Sequence, residues 1–404
     1  MAARQDIDAH PVKSRVCHVI HEYLGHTLNW VHTQIKYTPE FQHYVLASKT
    51  ANLEAYPVEM IFTPRWRPSS RLPLLDRVCR QFGVYPPENV ICFSRAIRKY
   101  PPALMHAHFG WDGFFALSLK KRFRIPMVTR FYGYDVGVLP KLAVWRRRYA
   151  TLFREGDLFL VEGNRMRSAL VDVGCPAGRV VVHHLGIEVH RIPYRARNYE
   201  GGAFRILIAA SLVEKKGIEF ALRAIRTALD AMPGLDLRVR IIGDGVLKDK
   251  LHRLADDLYL NDRIQWLGCQ PHSSFLNELY WAHVLVSPSQ TASDGNTEGG
   301  APVAFLEAQA SGLPVLSTFH ADIPEIVLHG KTGILVPEKD SGLLAQAILT
   351  MVSRPTLLIE FGGSGRRHVQ SHYEARNQGA LLSEIYSELA DAAALVRSRR
   401  PAIQ

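Results

Sequence analysis

Short β-branched runs bounded by turn residues alternate with helix-length segments along almost the whole chain, and this alternation constrains the fold more than any other feature. In the first half, residues 16–21, 44–48, 58–62, 104–108, 127–131, 158–162 and 180–185 read as buried strands. Helix-length segments at 72–82, 113–122, 141–153 and 165–173 separate several of them. A strand, a crossover helix and a second strand form a parallel unit, so the pattern predicts α/β architecture with parallel sheets.

Residues 191–202 (RIPYRARNYEGG) are polar, contain Pro and Gly and lack apolar periodicity, so they read as a linker. The alternation then restarts, with strands at 205–209, 237–242, 264–267, 284–287 and 314–317. The intervening helices are expected at 218–231, 247–258, 274–281 and 302–310. At 404 residues the chain exceeds what one core usually organises. The expectation is two doubly wound, Rossmann-like parallel-sheet domains facing across a cleft, at 1–195 and 196–373. A C-terminal helical segment, 374–404, is expected to pack back onto the first domain.

Charge distinguishes the halves. Residues 1–200 carry 29 Lys and Arg against 16 Asp and Glu, and residues 201–404 carry 20 against 22, so the net +11 belongs to the first half. A solvated basic face and an anionic partner, such as a membrane surface or a phosphorylated acceptor, are both open readings. Five scattered cysteines without zinc spacing, an N-terminus without an apolar run and no 20-residue apolar stretch predict a cytoplasmic chain, at most attached to the inner membrane face. Basic residues without interleaved aromatics argue against nucleic acid.

In open parallel sheets ligands bind at the carboxyl ends of strands, so four loops carry the chemistry. The SLVEKKG segment at 211–217 follows a strand and opens a helix, placing Lys215 or Lys216 beside free amides where a diphosphate is favoured. The 287–307 segment contains Glu298, then Gly299 and Gly300, which let backbone approach a ligand, then Ala301 and Pro302, and Glu307 in an apolar helix. Ionised carboxylates only accept, which suits sugar and ribose hydroxyls, and a buried Glu307 needs a partner. The third loop spans Phe131 to Asp135. The fourth, MHAHFG at 105–110, puts His106 and His108 on one face of a strand. Without a third ligand at a convincing spacing these two read as cleft-lining polar groups or as packed histidines, and not as a metal pair. Gly25 and His26 are candidates for an acceptor pocket.

The lysine loop together with the two-glutamate loop resembles the donor site of the family-four retaining glycosyltransferases of GT-B fold. IIGDGV at 241–246, QWLG at 265–268, SGLPVLS at 311–317, IPEIV at 323–327 and GILVP at 333–337 are similar to that family in order and spacing. The resemblance implies that Glu307 holds the ribose, Glu298 approaches the donor sugar and Lys216 neutralises the diphosphate, with the amides around Gly299, Gly300, Ala301 and Pro302 and the helix behind them completing the cradle. Three positions depart from the pattern. Eight residues separate Glu298 from Glu307 where the family has seven, Ser211 stands where an arginine is common, and Tyr132 replaces a histidine.

The resemblance therefore implies a metal-independent, cofactor-free hexosyltransferase. Its donor would be a nucleotide sugar and its acceptor a saccharide or lipid-linked hydroxyl, in surface-polysaccharide synthesis. Glu298, Lys216, Tyr132 and His108 are the catalytic candidates. Glu307, Lys215, Ser211, Gly299, Gly300, Ala301, Pro302 and Asp135 are the donor-binding ones. A nucleotide-sugar epimerase of the same fold and a non-catalytic nucleotide-sugar-binding relative are the alternatives.

Overall fold

The computed structural model describes residues 13–24, 29–64, 78–79, 81–300 and 302–398. The first half contains β1 (Arg15–Tyr23), β2 (Gln42–Thr50), β3 (Ile61–Phe62), β4 (Leu104–His108), β5 (Met127–Arg130), β6 (Leu158–Val161) and β7 (Val180–Val182). Its longer helices are α1 (Asn29–Lys36), α2 (Pro87–Lys99), α3 (Gly110–Phe123), α4 (Ala143–Glu155) and α5 (Asn164–Asp172). The second half contains β8 (Phe204–Ala209), β9 (Leu237–Ile242), β10 (Ile264–Gly268), β11 (Val284–Val286), β12 (Val315–Thr318) and β13 (Gly333–Val336). Helices α6 (Ile218–Ala231), α7 (Lys248–Asp257), α8 (His272–Trp281) and α9 (Val303–Ser311) alternate with these strands. Helices α10 (Ser341–Ser353), α11 (Thr356–His372) and α12 (Ala375–Ser398) follow the last strand.

Two parallel sheets result, with orders β3-β2-β1-β4-β5-β6-β7 and β10-β9-β8-β11-β12-β13. Each sheet starts in the middle and reverses direction beside its first strand, which is the doubly wound arrangement expected from the alternation. β1 runs between β2 and β4 with Val16 to Ile20 all buried, as a strand covered on both faces must be. α6 buries Ile218, Ala221, Leu222, Ile225, Ala228 and Leu229, a helical stripe against the β8 and β9 side chains.

By internal contacts the described chain forms two compact units. One comprises residues up to Thr129, Glu155–Asp157 and those from Ala380 onward; the other comprises Arg130–Arg154 and Leu158–Gly379. The expected helix at 72–82 falls mostly outside the described residues. α2, α10, α11 and β13 were not anticipated as elements. Their signals are local: α2 opens on Pro87 with Glu88 in its first turn and ends on Arg98 and Lys99, and the Asp340 side chain accepts from Leu343 N at 2.8 Å to cap α10.

The expected linker is partly a docked strap. Arg197 is 4% exposed and donates to the carbonyls of Leu279 (2.8 Å), Ala282 (3.1 Å) and Ser311 (3.1 Å) and to Ser311 Oγ (3.0 Å). Burial pushes its guanidinium down to about 10, which still leaves it charged at neutral pH. Arg197→Met strips those acceptors of their donor and should lower the unfolding free energy by about 3 kcal/mol in urea titration. A change under about 0.5 kcal/mol would mean that the strap contributes nothing to stability.

Candidate active site

Burying a carboxylate requires compensating charge and hydrogen bonds, and the second unit supplies both to Glu298. Its side chain is 4% exposed. Oε2 lies 2.7 Å from Lys216 Nζ and 3.9 Å from Lys215 Nζ, and Oε1 accepts from Ser289 Oγ at 2.6 Å. Burial alone would raise its pKa, but Lys216 and Lys215 reverse that and hold the carboxyl below its ordinary value. Lys215 also donates to the Thr297 carbonyl at 3.0 Å.

The lysines and Glu298 meet because two post-strand loops are laced together. After β8 the chain makes a single turn at Glu214–Lys216, and Gly217 adopts φ +61° before α6 begins. A β-carbon there would lie 2.0 Å from the Pro288 carbonyl oxygen, so the approach of the two loops requires glycine. Gln290 N donates to the Lys215 carbonyl at 2.8 Å, while Ser293 N and Oγ donate to the Glu214 carboxylate at 2.9 and 2.7 Å. The loop after β12 adds His320, whose Nε2 accepts from Glu298 N at 3.1 Å. Its Nδ1 then carries the proton toward Glu338 Oε1, 2.6 Å away.

The Phe131–Asp135 loop lies against the same turn. A β-carbon on Gly133 (φ +129°) would lie 2.7 Å from Gly299 Cα, and one on Gly299 (φ +77°) 2.3 Å from Gly133 Cα. Asp135 is fully buried, and its Oδ1 accepts from Tyr132 N (3.0 Å) and Gly133 N (2.8 Å), so its carboxylate shapes the turn. Tyr132 is half-buried, with the Arg130 guanidinium 5.7 Å from its ring centre. Ser211 is exposed on the lysine loop.

Gly300 is buried, and Pro302 is the residue preceding α9, whose free amides begin at Val303. Glu307 lies in that helix, 7% exposed, and the partner its burial demanded is His272 at the start of α8, with Nε2 2.6 Å from Glu307 Oε1. The hydrogen bond to Glu307 raises the His272 pKa against the opposing effect of burial. Ala301, Gly25 and His26 lie outside the described residues.

His108 belongs to the first unit, in a cluster the sequence did not show. β1 places His18 opposite His106 in register, so a third histidine does join the pair, and nitrogens of the three lie within 4.8 Å of one another. These are the described residues able to offer a metal three ligands. The His106 and His108 rings stack at 4.2 Å with 27° between their planes, and His106 Nδ1 is hydrogen-bonded to the Tyr386 hydroxyl at 2.5 Å. Hydrogen bonds account for the others. His43 Nε2 reaches the Thr38 carbonyl at 2.8 Å, His18 Nε2 reaches His43 Nδ1 at 3.0 Å, and His108 Nε2 reaches His18 Nδ1 at 3.0 Å. A carbonyl only accepts, so each ring donates from Nε2 in turn. Burial, with His43 and His108 adjacent, holds His18 well below the usual histidine range and therefore neutral.

Of the residues singled out from the sequence, the structure places Lys215, Lys216 and Glu298 on neighbouring loops of one unit and Glu307 in helix α9 of the same unit. Sequence reasoning missed Ser289, His320 and His272. The position of His320 after a strand was the one usable signal for it.

Comparison with known proteins gives two family-model matches: Glycosyltransferase Family 4 over residues 40–191 and Glycosyl transferases group 1 over residues 203–354. A putative colanic acid biosynthesis glycosyltransferase, WcaL of Salmonella typhimurium, is 34% identical over 76% of this chain and 77% of its own. The amylovoran biosynthesis glycosyltransferase AmsK of Erwinia amylovora is 33% identical over 70% and 69%. Among solved structures, Anabaena Alr3699/HepE in complex with UDP-glucose matches with TM-score 0.73 at 16% identity, covering 93% of this chain and 99% of that one. Sucrose-phosphate synthase of Thermosynechococcus elongatus matches at 0.72 and 17% identity, covering 94% and 100%.

The Glu298 pKa is depressed by its lysines, so its stabilising contribution is complete above the ordinary glutamate range and is lost as pH falls through its folded pKa. Glu298→Gln leaves two part-buried ammonium groups without their counter-charge and should cost about 3 kcal/mol at pH 7. The difference between wild type and variant should shrink below about pH 4.5, as read by urea titration at several pH values. A gap that persists in acid would show that charge pairing is not its source.

Proposed function

The chain belongs to the family-four glycosyltransferases of GT-B fold, and from that premise we propose that it moves a hexose-type sugar from a nucleoside-diphosphate sugar to a hydroxyl of a saccharide or lipid-linked acceptor, with retention at the anomeric carbon. The observation that carries this reading is the Lys216–Glu298 pair beside the Gly299–Gly300 turn, one helix start away from buried Glu307. The names of the two sequence relatives support a place in surface-polysaccharide synthesis.

Transfer requires stabilising a diphosphate as it departs with developing negative charge. Lys216 supplies a fixed ammonium, and the amides at the start of α9 supply dipoles aimed at the same turn. Those groups suffice without a metal ion or other cofactor. Glu298 orients Lys216 until the donor arrives, then accepts from sugar hydroxyls, while Glu307 exchanges His272 for the ribose diol. Tyr132, on the loop touching Gly299, offers a phenol to the sugar. No single described helix is long and apolar enough to cross a membrane. The net positive charge of the first half suits peripheral contact with anionic lipid near a lipid-linked acceptor.

The test is donor binding and slow hydrolysis across a panel of uridine- and guanosine-diphosphate sugars in EDTA. One donor should bind and turn over without metal, with Glu307→Ala and Lys216→Ala each weakening kcat/KM by roughly tenfold to a hundredfold. Tight binding without turnover even when acceptors are supplied would instead indicate a non-catalytic relative, and interconversion of the donor sugar an epimerase.

A further inference from the structure

Glu162 immediately follows β6, at the carboxyl end where parallel sheets present ligand-binding groups. Its backbone carbonyl accepts from His184 Nδ1 at 2.7 Å, which fixes the residue at the sheet edge. The residue is 9% exposed, and its carboxyl lies over Gly300: a β-carbon on Gly300 would lie 1.8 Å from Oε2. This is the turn at which the donor diphosphate sits in the reading above.

The surroundings leave that carboxyl without a structural task. Two other carboxylates line the same small cavity, and both are occupied. Asp322 accepts from Arg165 N (2.7 Å) and Met166 N (3.3 Å), and Glu325 accepts from Asn164 N (2.8 Å), so together they cap α5. Arg130 is fully buried and directs both terminal nitrogens to His183, at 2.7 Å to Nδ1 and 2.6 Å to the carbonyl. Among the described residues nothing hydrogen-bonds either carboxyl oxygen of Glu162. A carboxylate aimed at a diphosphate repels it, whereas a protonated carboxyl carries a donor.

We propose that Glu162 is a donor-binding residue that acts as a neutral carboxylic acid, its O–H donating to a phosphate oxygen held at Gly300. The inference rests on the donor-site reading and assigns one further contact to it. The groups facing Glu162 agree with a proton being retained. Burial is the leading influence, Arg130 opposes it, and Asp322 and Asp135 reinforce it, leaving the acid at about 8. Asp322 is itself raised to about 6, by burial first, and His184 is held below the usual histidine range by burial, so it is neutral near Glu162. Above about pH 8 Glu162 ionises and the binding-competent fraction falls, so nucleotide affinity declines as pH rises.

The experiment is calorimetric titration with UDP and with GDP from pH 6.5 to 9, on wild type, Glu162→Gln, Glu162→Asp and Glu307→Ala. Both nucleotides are fully ionised at phosphate above pH 7, so the ligand phosphate charge is constant there. For whichever nucleotide binds, wild-type affinity should fall about tenfold between pH 7 and 9. The isosteric Glu162→Gln should match wild type at pH 7 and hold its affinity, while Glu162→Asp keeps the alkaline decline. Parallel decline in wild type and Glu162→Gln, or a flat wild-type profile, overturns the role of Glu162 while Glu307→Ala still reports on the donor site. If neither nucleotide binds wild type at any pH, the donor-site reading fails and the inference falls with it.

Discussion

The candidate site is organised around one costly object, a carboxylate with 4% of its side chain in contact with solvent. Removing Glu298 from water is unfavourable by several kcal/mol unless charge is returned to it, and Lys216 and Lys215 return it from the loop after β8. Ser289, on the loop after β11, adds a hydrogen bond to the carboxylate, and His320, on the loop after β12, accepts from the backbone N–H of the same residue. Holding one residue therefore ties together the carboxyl ends of three parallel strands. In the proposed reading, the cation that would meet a diphosphate is held in place before any ligand arrives, which is what preorganisation requires. The same logic runs in reverse at Glu162, where burial without a hydrogen-bond partner keeps a proton on the acid instead of drawing in a cation.

Much of this architecture was legible because parallel sheets write themselves locally. Each buried strand is a short apolar run, each crossover helix a periodic segment, and the ligand-bearing loops lie where the first gives way to the second. Strands 104–108 and 237–242 and helix 218–231 agree with the structure to the residue. Lys216, Glu298 and Glu307 could be singled out for the same reason, since the first two lie on loops that follow strands and the third inside the helix that comes next.

What escaped was set by pairing between distant segments. Nothing near MHAHFG announces that β1 will place His18 beside His106, because register between strands 88 residues apart is a tertiary fact. His272 reaches Glu307 only once α8 and α9 are packed, and Arg197, in a stretch that is polar and Pro/Gly-rich, finds its acceptors on α8 and the end of α9. A buried arginine reads in sequence as a solvated one. Glu162 is hidden more completely, because its environment is defined by the absence of a side chain on Gly300.

Gly133 and Gly299 each exclude a β-carbon because of the other. Neither position is then an independent character for selection. A side chain at one would have to be accommodated by retreat of the other loop, and that retreat would carry Tyr132 or Glu298 with it. A change at either glycine is therefore a change of the contact itself, felt on both loops at once.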